Sequence, residues 1–476
     1  MSGRDAWNHF EVALTGAFLT GTPLRVPISG YERFQADLCE QLRVNHHWGV
    51  DGFRWRGVET YGGGGGYTNL VPLVLLRREG EELRTLLEDA LRLRPETELN
   101  WLHRALDGWS WELLSLRIEI YDLGIGTITG VYSVDVPDGT DVTRIYRTLD
   151  AAGGLRRHPD LGGRSPLAES FEALTYSTVR DFSEAAAAVA PEAQQEPWLA
   201  PMLEALGDSD HSSGVEQADE WGRLMWLHPM FVLTDRSDAS QTDLEEIGGP
   251  FIPAFSGRIP YWHGLFIPGI DSSVLVLRGE NPEGPNPPLR LTELMWSYYA
   301  LFMEMDRGLL ALLDNDRWRT PESLHALEAD AERMFGIYAR VQEARTRLDS
   351  ALTELAGGQL SIWHGMAEVH KFDELTSSVD AKIQLLQKVA ERRVQEASAA
   401  RAARASRILS GLTALTVVTV AVALMGNFLG TSSIGLGMGW RVLIVVLAFS
   451  LAVFLYLQAQ REIAQTRRAR SSRASP

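Results

Sequence analysis

Two apolar stretches close together near the C-terminal end constrain the fold of this chain more than any other feature. They are Ile408–Leu424 and Val442–Leu457. Each approaches the ~20 apolar residues that cross a hydrocarbon core of about 30 Å. The pattern predicts two transmembrane helices, at residues 408–429 and 441–458, joined by a loop at residues 430–440. The alternative is a pair of core helices in a soluble protein.

The distribution of arginine predicts how this hairpin is oriented. The segment Met425–Trp440 between the two apolar stretches has no charged residue, whereas arginines lie on the outer flank of each stretch. Because positive residues stay on the cytoplasmic side, both termini are expected in the cytoplasm of a bacterial cell, with the loop outside the inner membrane. Residues 459–476 then form a basic cytosolic tail. The flanking arginines are Arg392, Arg393, Arg401, Arg404 and Arg407 before the first span, and Arg461, Arg467, Arg468, Arg470 and Arg473 after the second.

The part of the chain before the hairpin is strongly acidic. The formal net charge is −17, yet nine arginines and a single acid, Glu462, lie from Arg401 onward, which leaves a net charge of −25 in the first 400 residues. Nucleic-acid binding is excluded on this ground, because it depends on neutralising phosphates with Lys and Arg. Cys39 is the only cysteine, so the chain forms no internal disulfide.

Residues 1–288 show mixed helix and strand signals and are predicted to form one or more cytosolic α/β sensor domains. Helical spacing of apolar residues is found at Tyr31–Leu42 and Glu81–Leu93. The runs Leu116–Tyr121 and Thr127–Val136 are typical of a β-hairpin. Two- and three-layer arrangements both fit this pattern.

Residues 289–407 are predicted to be a helical region that ends in a stalk. Leu289–Leu312 and Glu322–Ala356 are strong helix candidates, and from Met366 no Pro or Gly interrupts the chain before Gly411. One helix is therefore expected to run from Met366 through the first span. Its apolar seam should pack against copies of the chain or against the preceding helix. The seam residues are Phe372, Leu375, Val379, Ile383, Leu386, Ala390 and Ala397.

The end of the first apolar stretch reads Met425-Gly426-Asn427-Phe428. With the stalk and the two spans, this resembles the CorA superfamily of divalent-cation channels, whose hallmark at this position is Gly-Met-Asn followed by an aromatic residue. Gly426, Asn427 and Phe428 match the motif, while Met425 precedes the glycine. The resemblance implies a CorA-like fold: an α/β cytosolic domain, a long stalk helix and two C-terminal transmembrane helices. It also implies a homopentamer around the first span that conducts Mg²⁺.

At about 100° per residue, one face of the first span carries a set of residues that we expect to line a pore. Hydroxyls of Thr413 and Thr416 would face the axis, Val420 and Leu424 would form an apolar constriction, and Asn427 would meet the hydrated cation. In the alternative interpretation, the two threonines bond to carbonyls one turn back and face a neighbouring helix.

Metal binding is also implied by the resemblance, through carboxylates between subunits that sense intracellular Mg²⁺. The residues at the corresponding place are Glu368, Asp373, Glu374 and Asp380, and a solvated helix face is the alternative. No other cofactor is expected. The histidines His46, His47, His364 and His370 are interpreted as packing or surface residues. The external loop lacks the acids that Mg²⁺-conducting members of the family place there.

These features together predict a homo-oligomeric ion channel in the lipid bilayer, gated by a cytosolic ligand or partner protein that binds the head. Two alternatives remain open: a CorA-like pore-forming effector of a bacterial defence system, and a non-conducting membrane scaffold. No nucleophile–base or paired-carboxylate pattern stands out, so we do not expect an enzyme.

Overall fold

The computed structural model describes most of the chain in twelve segments, with a few isolated positions between and beyond them. They are residues 9–21, 31–46, 74–94, 108–121, 123–137, 165–189, 221–235, 257–261, 264–278, 286–314, 324–355 and 357–430. Contacts divide the chain into two compact units. The first comprises Met1–Arg319 with Met334–Gln387, and the second comprises Thr320–Arg333 with Lys388–Pro476.

The first unit is built on an eight-stranded sheet with strand order β2-β3-β4-β1-β5-β8-β7-β6. The predicted hairpin is confirmed, because β3 and β4 pair antiparallel, although β3 begins earlier than the alternating run suggested. The pairing of β5 with β8 is parallel. The strands are β1 His9–Leu19, β2 Val74–Glu79, β3 Ser110–Tyr121, β4 Ile125–Asp135, β5 Leu224–Asp235, β6 Ile259–Tyr261, β7 Gly264–Ile267 and β8 Ser273–Arg278.

Helices lie on both faces of this sheet, which makes the first unit a three-layer α/β structure. The side chains of β1 alternate between the two faces. Large residues such as Phe10 and Leu14 join the core with three helices, whereas the small Ala13 and Ala17 leave room for a fourth helix, which contacts β1 and β4. The first three are α1 Tyr31–Asn45, α2 Glu81–Arg92 and α3 Pro166–Val189, and the fourth is α4 Asn286–Asp314.

Three further helices follow: α5 Leu324–Glu354, α6 Gly358–Val369 and α7 Phe372–Gly430. The prediction of one unbroken helix from Met366 is wrong, because the chain turns at His370 and Lys371. Lys371 adopts a left-handed conformation with φ of 54°, and its amide donates to the carbonyl of Glu368. A left-handed residue after the last turn ends a helix whatever its side chain. The absence of Gly and Pro from this segment therefore did not ensure an unbroken helix.

Helix α6 lies over the edge strand β6 and against α4. Gly365 makes this close approach possible, since a Cβ at this position would clash with the side chain of Ile259 on β6. The glycine that weakens this helix in isolation therefore has a packing role.

The predicted apolar seam of α7 is confirmed and is covered within a single chain. Phe372, Val379, Ile383 and Leu386 are buried in the first unit, and Leu375 is half-buried. In the second unit, the seam positions Ala390 and Ala397 are buried as well. Since one chain already covers the seam, this surface is not left open for copies.

The C-terminal part of α7 is long and apolar enough to span a membrane. The qualifying helix is Phe372–Ala423, and no residue of its most apolar window is buried in the single chain. By length and composition it is the one such helix in the described ranges. Most of the second apolar stretch, residues 441–458, lies outside the described residues, so the second span stays a prediction.

Candidate functional site

Three threonines in the apolar part of α7 share the same local hydrogen bond. The hydroxyls of Thr413, Thr416 and Thr419 donate to the carbonyls of the residues four positions earlier, each at 2.8 Å. Each hydroxyl has a single proton, and this bond gives that proton an acceptor within the apolar segment. The oxygen lone pairs remain, so each threonine presents an acceptor to its surroundings. For Thr413 and Thr416 this is the hydrogen bond that the alternative interpretation predicted. Their oxygens still offer acceptors of the kind that suit a cation or its water shell.

Two of these threonines lie on the predicted pore face together with Val420, which is 52% exposed. Thr419 lies about 120° away from Thr413, because each residue turns the helix by about 100°. The face therefore combines two hydroxyl oxygens with an apolar position one turn further on. The side chains of Leu424, Asn427 and Phe428 lie outside the described residues.

The backbone of the Gly426-Asn427-Phe428 motif belongs to the last turn of α7, which ends at Gly430. Gly426 is exposed, and a Cβ built on it meets no atom within 4 Å. The described part of a single chain therefore does not require glycine at this position.

The four acids proposed for metal sensing are not gathered into one site within the chain. Glu368, Asp373 and Glu374 are exposed, Asp380 is half-buried, and Glu374 lies 3.7 Å from the amine of Lys371. No group of three or more His, Cys, Asp or Glu side chains with metal-binding placement occurs among the described residues. A regulatory site shared between subunits stays a prediction.

The start of the stalk is fixed by a group of aromatic rings that we call the stalk-base cluster. Its members come from β5, from α4 and from the turn between α6 and α7. The rings of Trp296 and His370 are 4.5 Å apart, and those of His228 and Trp296 are 4.9 Å apart. Rings at such separations and tilts attract each other beyond the effect of burial. The cluster consists of Trp226, His228, Trp296, Tyr299, His370 and Phe372.

Both histidines of the cluster are held neutral. Burial lowers the pKa of His370 to about 4. Burial, and then the neighbouring His370, lowers the pKa of His228 well below its ordinary value. The Nε2 atom of His228 lies 2.9 Å from the hydroxyl of Ser273, whereas the buried Nε2 of His370 has no hydrogen-bond partner among the described residues. The two imidazoles at the N-terminal end of α7 are therefore neutral, and each would gain a positive charge on protonation.

An ionic clamp holds α7 to α4 further along the stalk. The Lys382 amine lies 2.7 Å from the Asp306 carboxylate, and the Ser378 hydroxyl donates to the same carboxylate at 2.7 Å. The amine also donates to the main-chain carbonyl of Asp306 at 3.2 Å. Because Asp306 and Lys382 are each about a fifth to a quarter exposed, water screens the pair only partly.

A second group of charges is buried between the sheet and the first turns of α4. Glu119 on β3 lies 2.7 Å from Arg77 and 2.9 Å from Arg290. Glu293 on α4 lies 2.9 Å from Arg290, contacts Arg117, and accepts a hydrogen bond from Thr129. The two glutamates are almost completely buried. Paired and bonded in this way, they tie α4 to β2, β3 and β4.

The charge states in this network follow from the pairing. Burial raises the pKa of Glu119, but Arg117, Arg290 and Arg77 outweigh it and hold that pKa at about 2. Burial lowers the pKa of Arg117, while Glu293 and Glu119 raise it more, so the net direction is upward. Glu119 and Arg117 therefore stay charged at neutral pH, and the network joins α4 to the sheet through ion pairs.

The sequence held weak signals for these groups. Arg117 and Glu119 alternate with apolar residues in a strand, and Arg290 and Glu293 are spaced by one helical turn in the largely apolar first half of a helix. Charges inside apolar elements indicate buried pairs. The sequence does not indicate which strand and helix meet, so the partners could not be paired.

No protein-family model matches the chain, and neither a curated protein nor a solved structure matches it. The described part of the chain therefore defines the protein only by its architecture, which is an α/β sheet domain followed by a long helix that is apolar enough to span a membrane.

Proposed function

We propose that the chain is a subunit of a homo-oligomeric membrane ion channel of CorA-like form, with a pore lined by α7 and a gate controlled by the α/β head. The observation that most directly supports this proposal is the continuity of α7. The helix begins with Phe372 among the rings of the stalk-base cluster and continues without a break to Gly430 through the apolar segment. A change in the head that moves the foot of this helix is thereby transmitted to the membrane segment.

The chemistry of the apolar segment supports cations as the permeant ions. The hydroxyl protons of Thr413 and Thr416 are used within the helix, so rings of these residues would present oxygen lone pairs. Val420, one turn further on, would form a dewetting constriction in the closed state. Mg²⁺ is the ion that the family resemblance favours.

The test is ion flux through purified protein in liposomes, measured with separate indicators for Mg²⁺ and for monovalent cations. We expect cation flux, and protein that passes neither class of ion contradicts the proposal. Thr413→Val with Thr416→Val should change the flux, because both oxygens are lost without a change in shape. Thr419→Val is the matched control, since it removes the same hydroxyl-to-carbonyl bond about 100° around the helix from Val420, away from the middle of the proposed pore face.

The assembly is tested independently by measuring the mass of the protein in detergent. A pore around α7 needs several copies, so a monomer or dimer contradicts the channel and favours a non-conducting scaffold. A pentamer is expected from the family resemblance.

A second candidate is a pore-forming defence effector that depolarises the cell when a ligand or partner protein binds the head. The observation that favours it is the absence of any Asp or Glu between Glu396 and Glu462, which leaves the pore mouths without acids that concentrate Mg²⁺. Overexpression should then be toxic at any external Mg²⁺ concentration, and substitutions of Leu424 or Asn427 should relieve the toxicity. Rescue of a Mg²⁺-starved strain would instead favour the transporter.

A further inference from the structure

The turn between α6 and α7 is held in an unfavourable backbone conformation. Lys371 is left-handed with φ of 54°, and it is the one non-glycine residue with a positive φ in the described ranges. A side chain makes this conformation costly, so it persists where surrounding contacts impose it. The amides of His370 and Lys371 donate to the carbonyls of Met366 and Glu368. The turn is therefore a joint whose shape depends on how its neighbours pack.

Ring contacts on both sides of the left-handed residue supply that packing. Before it, the ring of His370 lies 4.5 Å from that of Trp296 on α4. After it, the ring of Phe372 is buried and meets the ring of Trp363 on α6 edge-on at 5.7 Å. The two rings together seat the first turn of α7 on α4 and α6.

The surroundings of His370 do not suit a positive charge. Its buried Nε2 atom has no hydrogen-bond partner among the described residues, and the ring of His228 is 5.8 Å away. The buried indole nitrogens of Trp226 and Trp296 also have no partner there, and an indole N–H can only donate. An imidazolium donates from both of its nitrogens, so these indoles offer it no acceptor.

Carboxylates near the turn do not compensate for this burial. The acids of the turn and its flanks are exposed, and Glu293 on α4 is already bonded to arginines. Burial is the cause that lowers the pKa of His370 to about 4. The ionisable side chains on the elements around this imidazole are His228 on β5, Glu293 and Tyr299 on α4, His364 and Glu368 on α6, Lys371 in the turn, and Asp373 and Glu374 on α7.

We propose that protonation of His370 unseats the start of α7 and opens the channel, which makes the turn between α6 and α7 an acid sensor on the side of the head. The inference rests on the proposed channel, because the helix that leaves the cluster is the one assigned to the pore. The proton binds the imidazole nitrogen that carries none. The imidazolium then leaves the stalk-base cluster for water, and Lys371 is free to leave its left-handed conformation.

The direction and size of the response follow from the two states of the imidazole. In the seated state its pKa is about 4, and in water it returns to the ordinary value of 6.5. Between these values the released state binds a proton that the seated state does not. Release therefore becomes more favourable by about tenfold for each pH unit below 6.5, and above that value pH has no effect through this group.

The test is cation flux through the full-length protein in liposomes, with the outer solution acidified stepwise from about pH 7.5 to about pH 5. Only molecules with their heads outside the vesicle respond to this change. We expect the flux of the wild type to rise severalfold below about pH 6.5. His370→Phe keeps a ring beside Trp296 but cannot be protonated, so its flux should stay at the level of pH 7.5. His364→Gln removes an exposed histidine from α6 and should keep the response of the wild type.

Hydrogen–deuterium exchange over residues 366–376 gives a second readout that does not depend on conduction. After correction for the intrinsic effect of pH on exchange, acid should raise exchange in the wild type and not in His370→Phe. Wild-type exchange that does not change with pH overturns the proposal, even where the variant fails to fold. Flux that rises equally in the wild type and in a folded His370→Phe protein overturns it as well.

The two readouts also separate the sensor from the channel. Protein that conducts at every pH, with no acid response in flux or exchange, refutes the sensor alone. Protein whose exchange rises on acidification but that conducts nothing supports the release of α7 and refutes the channel.

Discussion

Acidification should weaken the attachment of the stalk through His370, and the size of the effect follows from its burial. The pKa of this imidazole is lowered from an ordinary value of 6.5 to about 4 in the folded chain. Between these two values the unfolded chain binds a proton that the folded chain does not. The free energy of unfolding is therefore fully retained above pH 6.5 and falls as the pH approaches 4. At about 1.4 kcal/mol per pH unit, the loss reaches about 3 kcal/mol.

The assay is thermal unfolding of the detergent-solubilised protein between about pH 7.5 and about pH 4.5. His370→Phe keeps an aromatic ring beside Trp296 and removes both the titrating group and the buried Nε2 that has no partner. We expect this variant to lose less stability than the wild type as the pH falls. His364→Gln is the matched control, since it removes an exposed histidine from the adjacent helix α6.

The comparison between variants is needed because other ionisable groups of the folded and unfolded chain can titrate over the same pH range. Subtracting the His370→Phe profile from that of the wild type isolates His370. Parallel profiles of the two proteins would refute the reasoning, because they would mean that burial does not hold this imidazole neutral.

Three further perturbations test the ionic joints and the constriction. Glu293→Gln should cost about 3–5 kcal/mol of stability, because it leaves buried guanidinium groups short of one carboxylate; chemical denaturation measures this loss, and an unchanged midpoint would contradict the buried pairing. Asp306→Asn should lower the free energy of unfolding by about 1.5–3 kcal/mol. In a double-mutant cycle with Lys382→Met, the two losses of stability should not add. Additive losses in thermal melts would mean that the clamp is absent in solution. Val420→Ser should raise basal ion flux by wetting the constriction, while Val422→Ser on the opposite face should not; equal effects in the liposome assay would exclude the assigned pore face.

The sequence predicted best those elements whose pattern repeats over several turns or strand residues. The alternation in Leu116–Tyr121 and Thr127–Val136 predicted the hairpin of β3 and β4, because one residue in two must enter the core. The seam from Phe372 to Ala397 was predicted from the same kind of periodicity and is buried except for a half-buried Leu375. Such patterns are local, so they can be recognised without knowing which elements pack against each other.

Features that depend on tertiary contacts could not be predicted. The turn at Lys371 carries no Gly or Pro, and the aromatic rings around Phe372 become neighbours only when α4 and β5 meet. Arg290 and Glu119, and likewise Thr129 and Glu293, are separated by more than 150 residues of chain. The spacing of Thr413 and Thr416 was visible in the sequence, but its value for a pore depends on other copies of the chain.

The placement of α6 over β6 has a consequence for how copies of this chain meet. β6 is the outermost strand on its side of the sheet and is only three residues long. An uncovered strand edge offers unpaired amides and carbonyls on which a second molecule can extend the sheet. A strand of three residues offers little of that template, and α6, which Gly365 allows to approach this strand closely, packs on it. Pairing of another chain with this edge is thereby disfavoured.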